Sequence, residues 1–474
     1  MRRSGWLLVG VAAAMVASCT VVPARRASQV PAYPASAILG GPVNLGHITE
    51  PASAIPIDLA AHGYVEQEYF ASGTAHAFTA TSAPADGRWT IESSARASYK
   101  TRIIVRRPVS SRKFNGTVVV EWMNVSAGES APDWDYLNPM LMRDGYAYVG
   151  VSAQALGVEG GKSILGVGGS SAGLVHGEPS RYGTLHHPGD QYALDMYAQI
   201  GRAVRATHHP AVLGALHPRH VVALGESQSA FFLTTFADAI QPSTHAFDGI
   251  FIHSRGGGGA GLGSGSGLNG ALRIRTDLAV PVFMFETQTD LTTLGYAAAQ
   301  QPDTQRIRTW EVAGTSHADA YLVGSNAAVL GCTHPINDGP QHPVVQAAFT
   351  ALDEWVTRGT SPPSPSPFRL ASTNPVTYAL DAYGNVIGGV RTPAVDVPVS
   401  TLSGQALPGS SILCSLFGST TPLGAATLVN LYPTKADYLT AYTKSLDRAI
   451  SGRYVLAADR AALLARARQA PIPG

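Results

Sequence analysis

Charge is scarce in this 474-residue chain: Asp, Glu, Lys and Arg make up 14% of it, well under the roughly 25% of an ordinary soluble protein. Neither sign prevails, with 33 basic residues against 32 acidic ones and a net charge of +1. So even a balance leaves no global footprint for nucleic acid or an anionic membrane surface. Only three cysteines occur, and neither Cys-x-x-Cys nor His-Glu-x-x-His is present, so no familiar zinc site and no cofactor is expected. The adjacent pairs His186-His187 and His208-His209, each followed by Pro, read as loop residues, because neighbouring side chains seldom converge on one ion. Glycine and proline number 50 and 32, together about 17%, below the roughly 25–30% that marks disorder. With 45% hydrophobic residues the chain is expected to fold. Its length excludes a small scaffold and gives a prior of about three domains.

Long apolar runs are also missing, and the run nearest to one lies at the N-terminus. Arg2-Arg3 precede apolar residues from Trp6 to Ala17, a positive n-region and an h-region. As a helix that run reaches about 18 Å, short of the ~30 Å hydrocarbon core. It therefore reads as a signal peptide. It ends Val16-Ala17-Ser18-Cys19, which resembles a bacterial lipobox and implies a lipidated Cys19, whose several acyl chains would anchor stably. The alternative is ordinary cleavage and secretion. In an exported protein Cys332 and Cys414 either bridge or stay as buried thiols.

Strand-like and helix-like segments alternate from Thr117 onward. Thr117–Glu121, Ala147–Val151, Val221–Leu224, Gly249–Ile252, Val282–Phe285 and Thr309–Val312 read as strands. Helical spacing marks Tyr136–Arg143, the stretch carrying Ala193, Met196, Tyr197, Ile200 and Val204, and that carrying Val345, Ala348, Phe349, Leu352 and Val356. Such alternation implies a mostly parallel sheet covered by helices. Gly63 to Arg107 looks β-rich and is expected to add antiparallel edge strands. After a Ser/Pro linker at Ser361–Pro367 come a hairpin from Val376 to Val386, turning at Tyr383-Gly384-Asn385, and a helix carrying Leu439, Tyr442, Leu446 and Ile450.

Glycine-rich stretches suggest nucleotides only superficially. Gly265-Ser-Gly267-Leu-Asn-Gly270 matches the dinucleotide fingerprint, but neither a strand enters it nor a helix leaves it. It reads instead as part of a Gly256–Gly270 loop near the site. The informative segment is Val221-Val-Ala-Leu-Gly225-Glu226-Ser227-Gln228-Ser229-Ala230. A strand, a sharp turn and a helix put Ser227 where a nucleophile elbow would, with Gly225 and Ser229 as the small flanking residues. Downstream, Pro281-Val-Phe-Met-Phe-Glu286-Thr-Gln-Thr-Asp290 is a strand ending in two acids, and Trp310-Glu-Val-Ala-Gly314-Thr-Ser-His317 is a strand followed by a histidine. The order serine, acid, histidine is that of α/β-hydrolases. In this reading Ser227 attacks an ester carbonyl, His317 takes its proton and Asp290 orients the imidazole. Asp290 is preferred to Glu286, the alternative acid, because it lies in the loop beyond the strand.

At these residues the chain resembles a family of bacterial α/β-hydrolase-domain proteins, often exported, whose elbow reads Gly-Glu-Ser-Gln-Ser. The resemblance rests on Val120-Glu-Trp-Met-Asn124-Val125-Ser-Ala-Gly128, on Gly225–Ser229 and on His253-Ser254-Arg255-Gly256. It rests also on Thr289-Asp290-Leu291 and Val312-Ala-Gly-Thr-Ser-His317-Ala-Asp-Ala-Tyr321, and it extends from about Gly63 to the C-terminal helices. It implies an α/β-hydrolase fold whose mostly parallel sheet has helices on both faces, N-terminal edge strands and a C-terminal extension. It also implies an oxyanion hole, with the Gln228 N–H as one donor and the second near Asn124. The candidate substrate-binding set is Arg255, Glu226 and Trp134. Arg255 has a structural ion pair with Glu226 or another acid as its alternative. Asp133, Trp134 and Asp135 either rim the pocket or cap the following helix.

The expected organisation is a signal peptide over residues 1–18, a lipid-anchored tether over 19–45, a hydrolase domain over 46–360 and a packed extension over 361–474. The expected activity is that of a serine esterase outside the membrane, on a small-molecule or lipid-like ester. An acyltransferase or amidase using the same residues, and a non-catalytic envelope-binding lipoprotein, are the other classes. Membrane association would run through Cys19, with no nucleic-acid partner. Cell fractionation checks the anchor: wild type is expected with the membranes and Cys19→Ser released from them. Equal release of both proteins would exclude lipidation at Cys19.

Overall fold

The computed structural model describes residues 36–53, 56–163, 170–206, 210–263, 270–324 and 331–472. The expected signal peptide, Cys19, His208-His209 and most of the Gly265–Gly270 fingerprint lie outside them. Residues Tyr33–Gly474 form one compact unit.

Among the described residues the central sheet has nine strands: β1 (Ile38–Gly40), β2 (Tyr64–Ser82), β3 (Thr90–Pro108), β4 (Thr117–Trp122), β5 (Ala147–Val151), β6 (His220–Glu226), β7 (Gly249–His253), β8 (Val282–Glu286) and β9 (Ile307–Glu311). Their spatial order is β1-β2-β3-β5-β4-β6-β7-β8-β9. From β5 to β9 every pairing is parallel. The pairings of β1 with β2, β2 with β3 and β3 with β5 are antiparallel. The parallel strands are short apolar runs, and every residue of β4, β5, β7 and β8 is buried, as a sheet covered on both faces requires.

Alternation along these strands divides the side chains between two cores. Val118, Val120, Val221, Ala223, Ile250 and Ile252 pack with the helices α1 (Ala193–Arg205) and α2 (Gln228–Thr235). Val119, Val222, Leu224, Phe251, Phe283 and Trp310 pack with α3 (Gln341–Arg358), with the helix Pro132–Arg143 and with the C-terminal helix Lys435–Ser451. The chain is thus an α/β-hydrolase fold with helices on both faces.

Three boundaries differ from those expected. The stretch assigned to a tether already belongs to the sheet: Ile38–Gly40 pairs with Phe70–Ser72, and the Val43 N–H donates to the Glu68 carbonyl at 2.9 Å. The C-terminal ladder joins Leu370–Thr373 to Val376–Tyr378 rather than running from Val376 to Val386. The Tyr383-Gly384-Asn385 turn does form, with Gly384 at φ 80° and its N–H donating to the Asp381 carbonyl at 3.1 Å, and a Leu380–Val386 bridge flanks it. The last sheet strand begins and ends earlier than its apolar residues suggested, at Ile307 and Glu311.

The extension beyond residue 360 does structural work at the sheet edge. Val390 donates to the Glu311 carbonyl at 2.7 Å and accepts from the Ala313 N–H at 3.0 Å, so part of the β9 edge is covered. Further along, Cys332 and Cys414 are joined in a disulfide, and the Leu416 carbonyl accepts from the Ala318 N–H at 3.1 Å. The bridge spans 82 residues, and closing so long a loop in the unfolded chain corresponds to about 4 kcal/mol. The Cys332→Ser/Cys414→Ser variant is therefore expected to unfold at a clearly lower temperature or denaturant concentration. An unchanged midpoint would show that the bridge adds nothing to stability.

Candidate active site

The elbow follows from steric rules. β6 ends at Glu226, α2 starts at Gln228, and Ser227 joins them at φ 60°, ψ −119°, a conformation that an L-residue holds only when its surroundings impose it. One constraint is a hydrogen bond from the Ser227 N–H to the His253 carbonyl at 2.9 Å, at the end of β7. Close strand–helix packing is the other. A Cβ at Gly225 would lie 2.9 Å from the Ser229 Cβ and 3.2 Å from Leu233, so only glycine fits before the turn and only a small residue after it.

Ser227, His317 and Asp290 come together in one relay. The Ser227 Oγ lies 2.7 Å from His317 Nε2, and His317 Nδ1 lies 2.7 Å from Asp290 Oδ1. With the carboxylate accepting the Nδ1 proton, Nε2 is left to accept from the serine hydroxyl. Asp290 itself is fixed: its Oδ2 accepts from both the N–H and the Oγ1 of Thr287, each at 2.7 Å, in the capping box of the helix Gln288–Thr292. Thr289 holds the histidine backbone, its Oγ1 accepting from the His317 N–H at 3.1 Å and donating to the Gly404 carbonyl at 2.5 Å.

The surroundings of the imidazole are buried and acidic. Burial by itself lowers the His317 pKa, but the Asp290 hydrogen bond and charge, with help from Glu226, outweigh it and raise the value above the usual one. Glu226 is 4% exposed, and its Oε1 lies 3.6 Å from His317 Nε2. Burial pushes the Glu226 carboxyl up to about 7, against the attraction of His317 and His253 and with repulsion from Asp133 and Asp290. Behind it lies a second buried pair, His253 Nδ1 with Asp133 Oδ1 at 2.7 Å, and Gln341 reaches the other ring nitrogen at 3.3 Å.

The expected oxyanion donors need one correction. Gln228 opens α2, where a helical N–H has no partner within the helix. The Asn124 N–H, by contrast, donates to the Ser130 carbonyl at 2.9 Å, and its side-chain amide donates to the Glu226 carbonyl at 3.1 Å. Both Asn124 donors are thereby used in shaping the loop. Next in the chain, the Val125 N–H lies beside the elbow and donates to the Gln228 side-chain oxygen at 3.3 Å.

Arg255, Trp134 and Glu286 are placed away from the expected roles. Arg255 is fully buried; its guanidinium bonds the carbonyls of Gly256, at 3.1 Å, and Leu272 and lies over the Tyr296 ring. It fastens the loop after β7 and forms no ion pair with Glu226. Trp134 packs between Tyr148 and the Arg106 guanidinium. Its backbone N–H and that of Asp133 donate to Glu121, at 2.9 and 3.0 Å, so both lie in the first turn of the helix Pro132–Arg143 and are capped by Glu121 rather than capping it. Glu286 stays buried within β8, where desolvation and its acidic neighbours Asp290 and Glu311 push its pKa well up and Arg255 pulls it partly back. It makes no hydrogen bond to His317.

The sequence reading passed over two features. The Thr287-Gln-Thr-Asp290 pattern is a legible capping box. The His253–Asp133 pair joins residues 120 apart and left no local signal. Among the described residues no group of three or more His, Cys, Asp or Glu is placed to hold a metal ion, and no helix is long and apolar enough to cross a membrane.

With the fold and this geometry in hand, the class is that of an α/β-hydrolase with a serine elbow. The chain belongs to the alpha/beta hydrolase domain family, whose model matches residues 39–465. Among solved structures it is similar to a glucuronoyl esterase from Teredinibacter turnerae, at 14% identity over 60% of this chain and 76% of that one, with a TM-score of 0.27. It is also similar to a protein described as a dienelactone hydrolase from Klebsiella pneumoniae (12% identity, 51% and 85% coverage, TM-score 0.26). A third likeness is to the rice cell wall degrading esterase LipA from Xanthomonas oryzae (15% identity, 40% and 43% coverage, TM-score 0.22). No curated protein matches the chain.

The elbow packing is open to a direct check. Gly225→Ala is expected to shift Ser227 enough to slow its reaction with a fluorophosphonate by about 100-fold, as a displacement near 1 Å does. The melting temperature should fall as well. A variant that reacts at the wild-type rate would show that the elbow has room for a Cβ.

Proposed function

We propose that the protein is a serine hydrolase that cleaves carboxylic esters through an acyl-enzyme on Ser227, exported and held at the outer face of the membrane by Cys19. The Ser227–His317–Asp290 relay, with both contacts at 2.7 Å, carries the reading. The site supplies a nucleophile, a base with a set tautomer and a rigid acid, which is what acyl transfer at neutral pH needs.

In the proposed reaction Ser227 Oγ attacks the ester carbonyl carbon while His317 Nε2 takes its proton. The carbonyl oxygen becomes an oxyanion, held by the backbone N–H of Gln228 and by that of Val125, which gives up the Gln228 side-chain oxygen to bind it. As the intermediate collapses, the imidazolium returns the proton to the departing alkoxide and the alcohol leaves. A water molecule then repeats the sequence on the acyl-serine, giving up one proton to His317, and the carboxylic acid departs as Ser227 is reprotonated. Asp290 stays ionised throughout, balancing the imidazolium.

A fluorophosphonate should label the wild type at Ser227 and leave Ser227→Ala untouched, with loss of short p-nitrophenyl ester hydrolysis in the variant. Asp290→Asn should lower kcat by about 10⁴-fold, while Glu286→Gln stays near wild type. An unlabelled wild type would overturn the hydrolase reading. A collapse in Glu286→Gln with an active Asp290→Asn would move the acid to Glu286.

A further inference from the structure

Glu226 is built into the elbow itself, and the relay makes no use of it. Its carboxylate faces His317 from the Nε2 side, opposite the nitrogen that Asp290 holds. The other carboxylate oxygen is 3.4 Å from the Asn124 amide nitrogen, and the same amide nitrogen bonds the Glu226 carbonyl at 3.1 Å. The group is therefore clamped at both ends, in a site from which water is nearly excluded.

We propose that Glu226 is a positioning residue for His317, a second carboxylate that stabilises the imidazolium from its reactive side without taking its proton. The distance is what allows this. At 3.6 Å the carboxylate lies just beyond ordinary hydrogen-bond length, yet close enough for strong attraction in a buried setting. A shorter contact would bind the Nε2 proton that must pass to the leaving alkoxide. At the observed distance that proton stays on the line to Ser227 Oγ, 2.7 Å away, while the positive charge is balanced from both ends of the ring.

The charged and titratable groups facing Glu226 come from every neighbouring element: His317 after β9, His253 on β7, Asp290 after β8, and Asp133 with Tyr136 on the helix Pro132–Arg143. Burial, the largest influence, and the two aspartates oppose its ionised form, while the two imidazoles favour it. In turn the Glu226 charge raises the pKa of His317. Replacing it by a neutral isostere should thus lower that pKa and make the imidazolium harder to form. Catalysis needs His317 unprotonated in the free enzyme, so the acid limb of kcat/KM should move to lower pH.

The inference rests on the hydrolase reading and is tested by the pH profile of Glu226→Gln, whose amide keeps the shape and the Asn124 contact. We expect the acid limb to move down by about half to one pH unit, and the plateau of kcat/KM and of fluorophosphonate inactivation to fall by about tenfold or more. Glu226→Asp should keep the limb near its wild-type position. A limb that stays fixed in a Glu226→Gln variant of wild-type melting temperature would give the residue a merely structural part and overturn the inference alone. Should Glu226→Gln fold poorly, NMR titration of the His317 imidazole in Glu226→Ala and wild type reads the same coupling, with the lower value expected in the variant. Equal His317 pKa values in these two would also overturn the inference. An unreactive wild type would remove the hydrolase reading and this inference together.

Discussion

A single imidazole, held in one tautomer by a carboxylate that cannot turn, is the constraint on which this site depends. Asp290 does not merely lie near His317. One of its oxygens is committed to the Thr287 backbone and hydroxyl, which leaves the other aimed at Nδ1. A capping box that stabilises a short helix thereby also fixes an acid, and the same two residues satisfy both demands. Thr289 repeats the economy one position earlier, tying the His317 backbone to the Gly404 carbonyl. Orientation is thus set by hydrogen bonds formed on folding, before any substrate arrives, which is the condition for a preorganised site.

The sheet explains why these residues meet at all. Parallel strands run their C-terminal ends to one edge, so loops that leave β4, β6, β8 and β9 converge there although they are far apart in sequence. The extension after residue 360 makes that edge rigid. It covers part of β9 through Val390 and receives the loop past His317 on Leu416. It also accepts the Thr289 hydroxyl at Gly404. Length that might have built separate domains is used instead to buttress one hydrolase domain.

How much of this could be read from the sequence depended on the range of the interaction. The parallel strands were legible because each is a short apolar run buried on both faces, and Ser227, Asp290 and His317 because each sits just past such a run. The Asn124 N–H looked like an oxyanion donor, but it is taken up by the Asn124–Ser130 bridge, a pairing that composition does not signal. Arg255 looked like a substrate ligand because an arginine at a strand end is conspicuous. Its actual partners are loop carbonyls, which every residue carries and no motif announces. Trp134 was misread for a related reason. The helix it opens is capped from a neighbouring strand by Glu121, a contact across layers rather than along the chain.

The elbow also separates charge by position in the chain. Acyl transfer develops a cation on the histidine and an anion on the carbonyl oxygen, and each needs partners of the other sign within a few ångströms. Glu226, the residue before the nucleophile, is the last of β6, and its carboxylate faces the imidazole. Gln228, the residue after it, is the first of α2, where free N–H groups and the positive end of the helix dipole favour an anion. The turn at Ser227 lets one strand end and one helix start serve opposite charges on either side of a single hydroxyl. Burying a carboxylate there is unfavourable taken alone. The two imidazoles that face Glu226 offset part of that cost, and His253 is in turn held by Asp133. The second acid–histidine pair therefore belongs to the electrostatics of the first, and the site extends one layer deeper than the relay.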